Sequence, residues 1–96
     1  LFRSGPDLAL GLNNLSIRYT ELGKREEALE TALKSVAIYE RLVGKGLEVF
    51  EPALALCFSN LGNRYSDLDR QEEALETNLK AVAIPPKPPP TTILLI

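Results

Sequence analysis

Residues 26–31, Glu-Glu-Ala-Leu-Glu-Thr, recur unchanged as residues 72–77, and this repetition decides the fold. Around it, segment 8–38 matches segment 54–84 at nineteen of 31 aligned positions, with a constant spacing of 46 residues. A repeat at a spacing of a few tens of residues indicates stacked copies of one structural unit, not a single closed globule. The functional question therefore becomes what such a stack holds.

The first copy carries two helical patterns. Apolar residues recur at three- and four-residue steps over 8–22 and again over 28–39, as they do on one face of an α-helix. Pro6 suits a first helical turn, where its missing N–H has no intrahelical partner. Gly23 ends the first helix, and the Gly-Lys-Gly break at 44–46 ends the second. The sequence predicts a helix–turn–helix unit.

The second copy repeats this plan. Pro52 corresponds to Pro6, and the apolar stripes occupy 54–68 and 74–83. Asp69 followed three residues later by Glu72 predicts a reciprocal cap at the start of the last helix. We therefore predict an all-α fold of two helix–turn–helix units.

After Ile84 the repeat stops. Six residues, Pro-Pro-Lys-Pro-Pro-Pro, favour an extended polyproline II linker, and the chain then ends in four apolar residues. The start shows neither an initiator Met nor a signal-peptide pattern, so we expect a fragment of a larger array. The predicted organisation is a lead-in at 1–5, unit one at 6–46, unit two at 47–84 and a disordered tail at 85–96.

Composition excludes several partners and several kinds of chemistry. Eleven basic and thirteen acidic residues give a net charge of -2 without a basic cluster, which argues against a nucleic-acid partner. The apolar runs are shorter than the roughly 20 residues that cross a bilayer, so no membrane partner is expected, and the missing targeting signals favour a cytoplasmic location. The chain has no His and one cysteine, Cys57, which we predict to be a buried, inert thiol. We expect no enzyme activity, no cofactor and no metal.

The small and large residues of each unit resemble the pattern of the tetratricopeptide repeat. The second unit carries Phe58, Leu61, Gly62, Tyr65, Ala74, Ala81 and Pro86. The first carries Leu12, Leu15, Ser16, Tyr19, Ala28 and Ala32. The ordinary unit of that family has about 34 residues, and the longer spacing here is similar to the extended repeats of kinesin light chains and of bacterial and fungal signalling proteins with tandem arrays. Asn78 departs from the pattern, since the family prefers a large apolar residue there.

The resemblance implies a right-handed superhelical fragment whose first helices line a concave groove that binds a peptide or helix of another protein. It places ten residues in that groove: Leu10, Asn13, Ile17, Thr20, Glu21, Leu56, Ser59, Asn63, Ser66 and Asp67. Asparagine amides both donate and accept hydrogen bonds, so they can pair with the backbone of a bound peptide. A chaperone tail is not expected, because Asn13 and Ile17 occupy places where some members carry basic residues.

Four further residues are secondary candidates, each with a structural alternative. Asn14 and Asn60 lie one position from the groove, and they could instead satisfy helix ends or face solvent. Arg18 and Arg64 could grip a carboxylate, or their stems could cover apolar surface while their heads pair with a nearby acid.

Two other interpretations of the whole chain stay open. Apolar stripes that contain Val36, Leu79 and Val82 would lack a covering helix and would lead to self-association or to stacking in a larger array. The loss of the pattern after Ile84 also fits a truncated piece without independent function.

Overall fold

The computed structural model describes residues 5–85, and all of its regular structure is helical. The chain forms α1 (Gly5–Glu21), α2 (Arg25–Gly44), a 3-10 turn (Glu48–Phe50), α3 (Glu51–Asp67) and α4 (Gln71–Ala83). No strand occurs within this described part, so the predicted all-α fold of two helix pairs is confirmed. The predictions for 1–4 and 86–96, including Pro86 and the apolar end, lie outside it.

The turn between α1 and α2 is closed by a glycine, as predicted. Gly23 has a φ of 76°, which side-chain-bearing residues rarely adopt. Its N–H donates to the carbonyl of Thr20 at 3.0 Å, and the N–H of Lys24 donates to the carbonyl of Tyr19 at 2.9 Å. This pair of bonds satisfies the last carbonyls of α1 and reverses the chain.

The equivalent turn between α3 and α4 uses an aspartate. Asp69 has a φ of 60°, and the N–H groups of Asp69 and Arg70 donate to the carbonyls of Ser66 and Tyr65, both at 2.9 Å. The predicted reciprocal cap is wrong, because α4 begins after Arg70 and has no side-chain cap at its start. Asp69 belongs to the end of α3, in the place that Gly23 takes after α1.

Small residues allow the two helices of each pair to approach. In the first pair Ser16 and Ala28 are fully buried, and the Ser16 hydroxyl donates to the carbonyl of Ala28 at 2.9 Å. In the second pair a Cβ atom on Gly62 would overlap the side-chain amide of Asn78. Asn78, which departs from the family pattern, therefore fills the space that Gly62 leaves open.

The two pairs stack through α2 and α3. The core of this contact consists of Leu29, Ala32, Val36 and Tyr39 from α2 and Leu54, Cys57, Phe58 and Leu61 from α3. The prediction that Val36 lies on an uncovered stripe is wrong, because α3 covers it and leaves it 4% exposed. Sequence alone does not show which face of α2 the next helix takes.

Cys57 lies inside this contact, as predicted. The Ser35 hydroxyl donates to its Sγ atom at 3.2 Å. Burial raises the pKa of the thiol above its ordinary value, and the bond from Ser35 opposes the rise only in part. The neutral thiol is therefore the favoured form, which is the less reactive one.

Candidate functional site

The first helices of the two pairs lie side by side and carry all ten predicted groove residues. Five of these follow one stripe of α1 and the other five follow the equivalent stripe of α3. A hydrogen bond joins the stripes, from Nδ2 of Asn60 to Oδ1 of Asn13 at 3.0 Å. We call the surface formed by the ten residues the groove face.

Leucines at equivalent positions supply the apolar part of the groove face. Leu10 in α1 is 55% exposed and Leu56 in α3 is 69% exposed. Ile17, two turns after Leu10, is half-buried. Exposed leucines that recur in both units form apolar area that a partner can cover.

Polar side chains follow these leucines along each helix. Ser59, Asn63 and Ser66 are exposed in α3, while Asn13 is half-buried in α1. Within the described part of the chain, the amide of Asn63 has no hydrogen-bond partner, and Asn13 uses only its carbonyl oxygen, which accepts from Asn60. The Thr20 hydroxyl is already used within its own helix, since it donates to the carbonyl of Ser16 at 3.0 Å. Open amide groups therefore lie at one position in each helix.

The two acids of the groove face are paired with arginines on their own helices. Oε2 of Glu21 lies 3.3 Å from Nη2 of Arg18, and both side chains are exposed. Asp67 lies 2.9 Å from Nε of Arg64. Both arginines thus pair with an acid three residues further on, which is the structural alternative described for them. An exposed pair such as Arg18–Glu21 contributes at most about 1 kcal/mol to stability.

Arg64 and Asn60 belong to a buried polar network that sequence reasoning missed. Nη1 of Arg64 donates to Oδ1 of Asn60 at 2.5 Å, and Nδ2 of Asn60 is shared between Asn13 and the hydroxyl of Ser16, the latter at 3.2 Å. Ser16 in turn donates to the backbone of α2. We call this chain of bonds, from Asp67 to Ser16, the asparagine network. It ties α3 to α1 beneath the groove face, and the amide of Asn60 is fully used within the protein.

The sequence signal for this network is weak, because Asn60 and Arg64 have identical equivalents in the first unit. Asn14 and Arg18 are both exposed, and Asn14 makes no hydrogen bond within the described residues. The same residue types are buried in α3 and exposed in α1, since within residues 5–85 a helix pair packs in front of α3 but not in front of α1. The equivalent asparagines, Asn14 and Asn60, could have suggested hydrogen bonds between stacked units. They could not have shown that only Asn60 makes such bonds.

A cleft lies on the side of the second helices. A cleft of about 280 Å³ between α2 and α4 is lined by Leu33, Phe58 and Tyr65 and rimmed by Glu73 and Lys80. Nζ of Lys80 lies 6.0 Å from the centre of the Phe58 ring. Glu73 is paired with Arg70, and this pairing lowers the pKa of the Glu73 carboxyl. The cleft contains no predicted groove residue.

The described residues offer no obvious metal site and no membrane-length helix. Within 5–85, no three His, Cys, Asp or Glu side chains gather as a metal site would require. No helix in this range combines the length and the apolar character that spanning a bilayer needs.

Comparison with known families identifies the repeat. A sequence model described as the tetratricopeptide repeat matches the chain twice, over residues 8–46 and 54–84, which together make up most of its length. No match to the chain is found among curated proteins or among solved structures.

Proposed function

The chain belongs to the tetratricopeptide repeat family, whose repeats are non-catalytic modules that mediate interactions between proteins, and from this premise we propose that its groove face binds a peptide of a partner protein. The observation that carries the proposal is an exposed leucine at the equivalent position of α1 and α3, with an open amide further along each helix, at Asn13 in α1 and at Asn63 in α3. Leu10 and Leu56 act as anchors for apolar side chains of the peptide. Asn13 and Asn63 donate to its backbone.

The asparagine network supports this function through rigidity. Asn60 joins α1 to α3 by direct hydrogen bonds, and Arg64 is held in place by Asp67. A fixed spacing between the helices means that little ordering is needed when a peptide binds. The partner is an extended or helical segment with apolar side chains, and a chaperone tail is not expected.

The test begins with a displayed library of random peptides selected on the purified chain. The affinity of a selected peptide is then measured for two matched double variants. Leu10→Ala with Leu56→Ala removes the anchors of the groove face, while Leu75→Ala with Leu79→Ala removes two leucines of similar exposure from α4. We expect the first pair to weaken binding by about tenfold or more and the second to leave it unchanged.

Asn13→Ala with Asn63→Ala is expected to weaken binding as well, because both amides donate to the bound backbone. Equal losses from the groove and α4 variants, or selected peptides that bind only through α4, would exclude the groove face as the binding site.

A second candidate function is stacking, and a comparison of equivalent residues favours it. Leu29 and Val36 of α2 are 7% and 4% exposed, whereas their equivalents in α4, Leu75 and Val82, are 61% and 78% exposed. The equivalent of the apolar surface that α3 covers on α2 is therefore left uncovered on α4 by the described residues. On this proposal the chain associates with further repeat units. Light scattering tests it, because a mass that rises with concentration above 10.6 kDa indicates self-association, while a constant mass excludes it.

A further inference from the structure

The contact between α2 and α3 has two sides, and each side has an equivalent at one end of the molecule. We define the α4 face as Leu75, Leu79 and Val82, which correspond to Leu29, Leu33 and Val36 of α2 by the 46-residue spacing. The residues of all three pairs are identical. Leu29 and Val36 are buried while Leu75 and Val82 are exposed, whereas Leu33 and Leu79 are 41% and 57% exposed. The α4 face thus repeats one side of an interface that the chain already forms.

The other side of that interface is repeated on α1. Leu54 and Leu61 of α3 pack against α2 and are 6% and 4% exposed. Their equivalents in α1 are Leu8 and Leu15, and both are 41% exposed. We define the α1 face as Leu8 and Leu15 together with Leu12, the half-buried equivalent of Phe58. Both halves of an existing interface are therefore present at opposite ends, without partners in the described structure.

We propose that copies of this chain stack head to tail, with the α4 face of one copy packed on the α1 face of the next. The arrangement repeats between molecules the contact that joins α2 to α3 within one molecule. This inference rests on the second proposed function and specifies its partner as another copy of the same chain. Of the groove face it engages only Ser59, and it places the groove faces of successive copies in one line.

Polar residues support the same register. Asn14 corresponds to Asn60, and Ser59 corresponds to Asn13, which accepts a hydrogen bond from Asn60 within the chain. In the stack, Asn14 of the added copy lies opposite Ser59, whose hydroxyl oxygen accepts in place of the amide carbonyl. Asn14, which is exposed on α1, thereby donates a hydrogen bond between units, as its buried equivalent Asn60 does within the chain.

The two faces are different surfaces, so the association is heterologous. A heterologous contact continues to add copies unless its rotation closes a ring, whereas a contact of one face with itself stops at two. The stack is weaker than the internal contact for three reasons. Asn78 replaces the buried Ala32, Gly11 replaces Cys57, and no covalent connection holds the two sides together.

The test uses one variant for each face. Val82→Glu blocks the α4 face and Leu8→Glu blocks the α1 face, and the exposure of both residues favours retention of the fold, which circular dichroism verifies. Light scattering is carried out on the unmodified chain, on each variant and on an equimolar mixture, at concentrations of about 10 μM to about 1 mM. We expect the mass of the unmodified chain to rise with concentration and each variant alone to remain at 10.6 kDa.

The mixture is the decisive sample. Each variant keeps the face that the other has lost, so the mixture should form a dimer of twice 10.6 kDa and should grow no further. Dimers of the Leu8→Glu variant alone would show that α4 faces pair with each other. Self-association would then stand, and the head-to-tail arrangement would be overturned. If the mass of the unmodified chain stays at that of a monomer at every concentration, both self-association and the head-to-tail arrangement are overturned.

A cysteine pair tests the register without relying on charged variants. Ser35 and Cys57 are in contact across α2 and α3, and their equivalents are Ala81 and Gly11. In a Cys57→Ala background, a copy with Ala81→Cys mixed with a copy with Gly11→Cys should form a disulfide-linked dimer under mild oxidation. Disulfide-linked dimers that form only between two Ala81→Cys copies would overturn the head-to-tail register.

Discussion

Replacing Asn60 by alanine tests whether the asparagine network holds the two helix pairs together. The side chain donates to Oδ1 of Asn13 and to the hydroxyl of Ser16, and its own carbonyl accepts from the guanidinium of Arg64. Asn60→Ala removes all three bonds, while Arg64 keeps its pairing with Asp67. The change is buried, so water does not fully replace the missing partners.

The size of the effect follows from these bonds. A neutral hydrogen bond contributes about 0.5–1.5 kcal/mol and a bond to a charged group about 1.5–3 kcal/mol, so even the lower limits amount to about 2.5 kcal/mol. Alanine has the higher helix propensity and returns about 0.5 kcal/mol. We therefore expect Asn60→Ala to lower the free energy of unfolding by about 2 kcal/mol.

Urea unfolding followed by far-UV circular dichroism measures this loss, and the chain supplies its own control. Asn14 is the equivalent residue of the first unit, and it is exposed and makes no hydrogen bond within the described residues. Asn14→Ala should leave stability unchanged or raise it by up to about 0.5 kcal/mol. The measurements are made at low protein concentration, where self-association does not contribute. Equal effects of the two substitutions would refute the assignment of the network to Asn60.

Three further predictions concern burial, backbone strain and pH. Leu29→Ala should cost about 2–4 kcal/mol of unfolding free energy and Leu75→Ala less than about 1 kcal/mol, because only Leu29 is covered; equal losses in urea unfolding would contradict the stacking of α3 on α2. Asp69→Gly should raise the melting temperature through a gain of about 0.5–1 kcal/mol, since glycine adopts a positive φ without strain; a lower melting temperature would argue against this turn. Burial raises the pKa values of Cys57 and Tyr39 in the folded state, so the stability they contribute is present below their ordinary values of 9.0 and 10.0 and is lost as the pH rises through the raised ones. Cys57→Ala should move the start of this alkaline loss to higher pH, and an unchanged pH profile would exclude the thiol as its source.

The sequence was sufficient to predict the helices because their information is local. The apolar steps of three and four residues, Pro52 in a first turn and Gly23 after α1 all act within a few residues of themselves. The error at Asp69 is also local in origin. Aspartate is common both at helix starts and in left-handed positions after a helix, and its equivalence to Gly23 was the better guide.

The candidate site was predictable only as a stripe of positions. Leu10 and Asn13 in α1 are equivalent to Leu56 and Ser59 in α3. Their place on the groove face follows from the repeat and from the family resemblance. Whether each side chain is open depends on packing. Thr20 bonds to the backbone of its own helix, and Asn60 is fully used by its neighbours. The residue spacing along one helix does not indicate hydrogen-bond partners that lie on another helix.

By itself, the sequence determined that this chain is two copies of one helical unit and which residues of each copy are equivalent. Only the tertiary structure decided which member of an equivalent pair is buried, as Leu29 and Val36 are while Leu75 and Val82 are not. The physical reason is that burial is a property of the neighbour as well as of the residue. Identical residues in a stack meet a covering helix in one unit and open surface in the next, and that difference creates both the asparagine network and the uncovered α4 face.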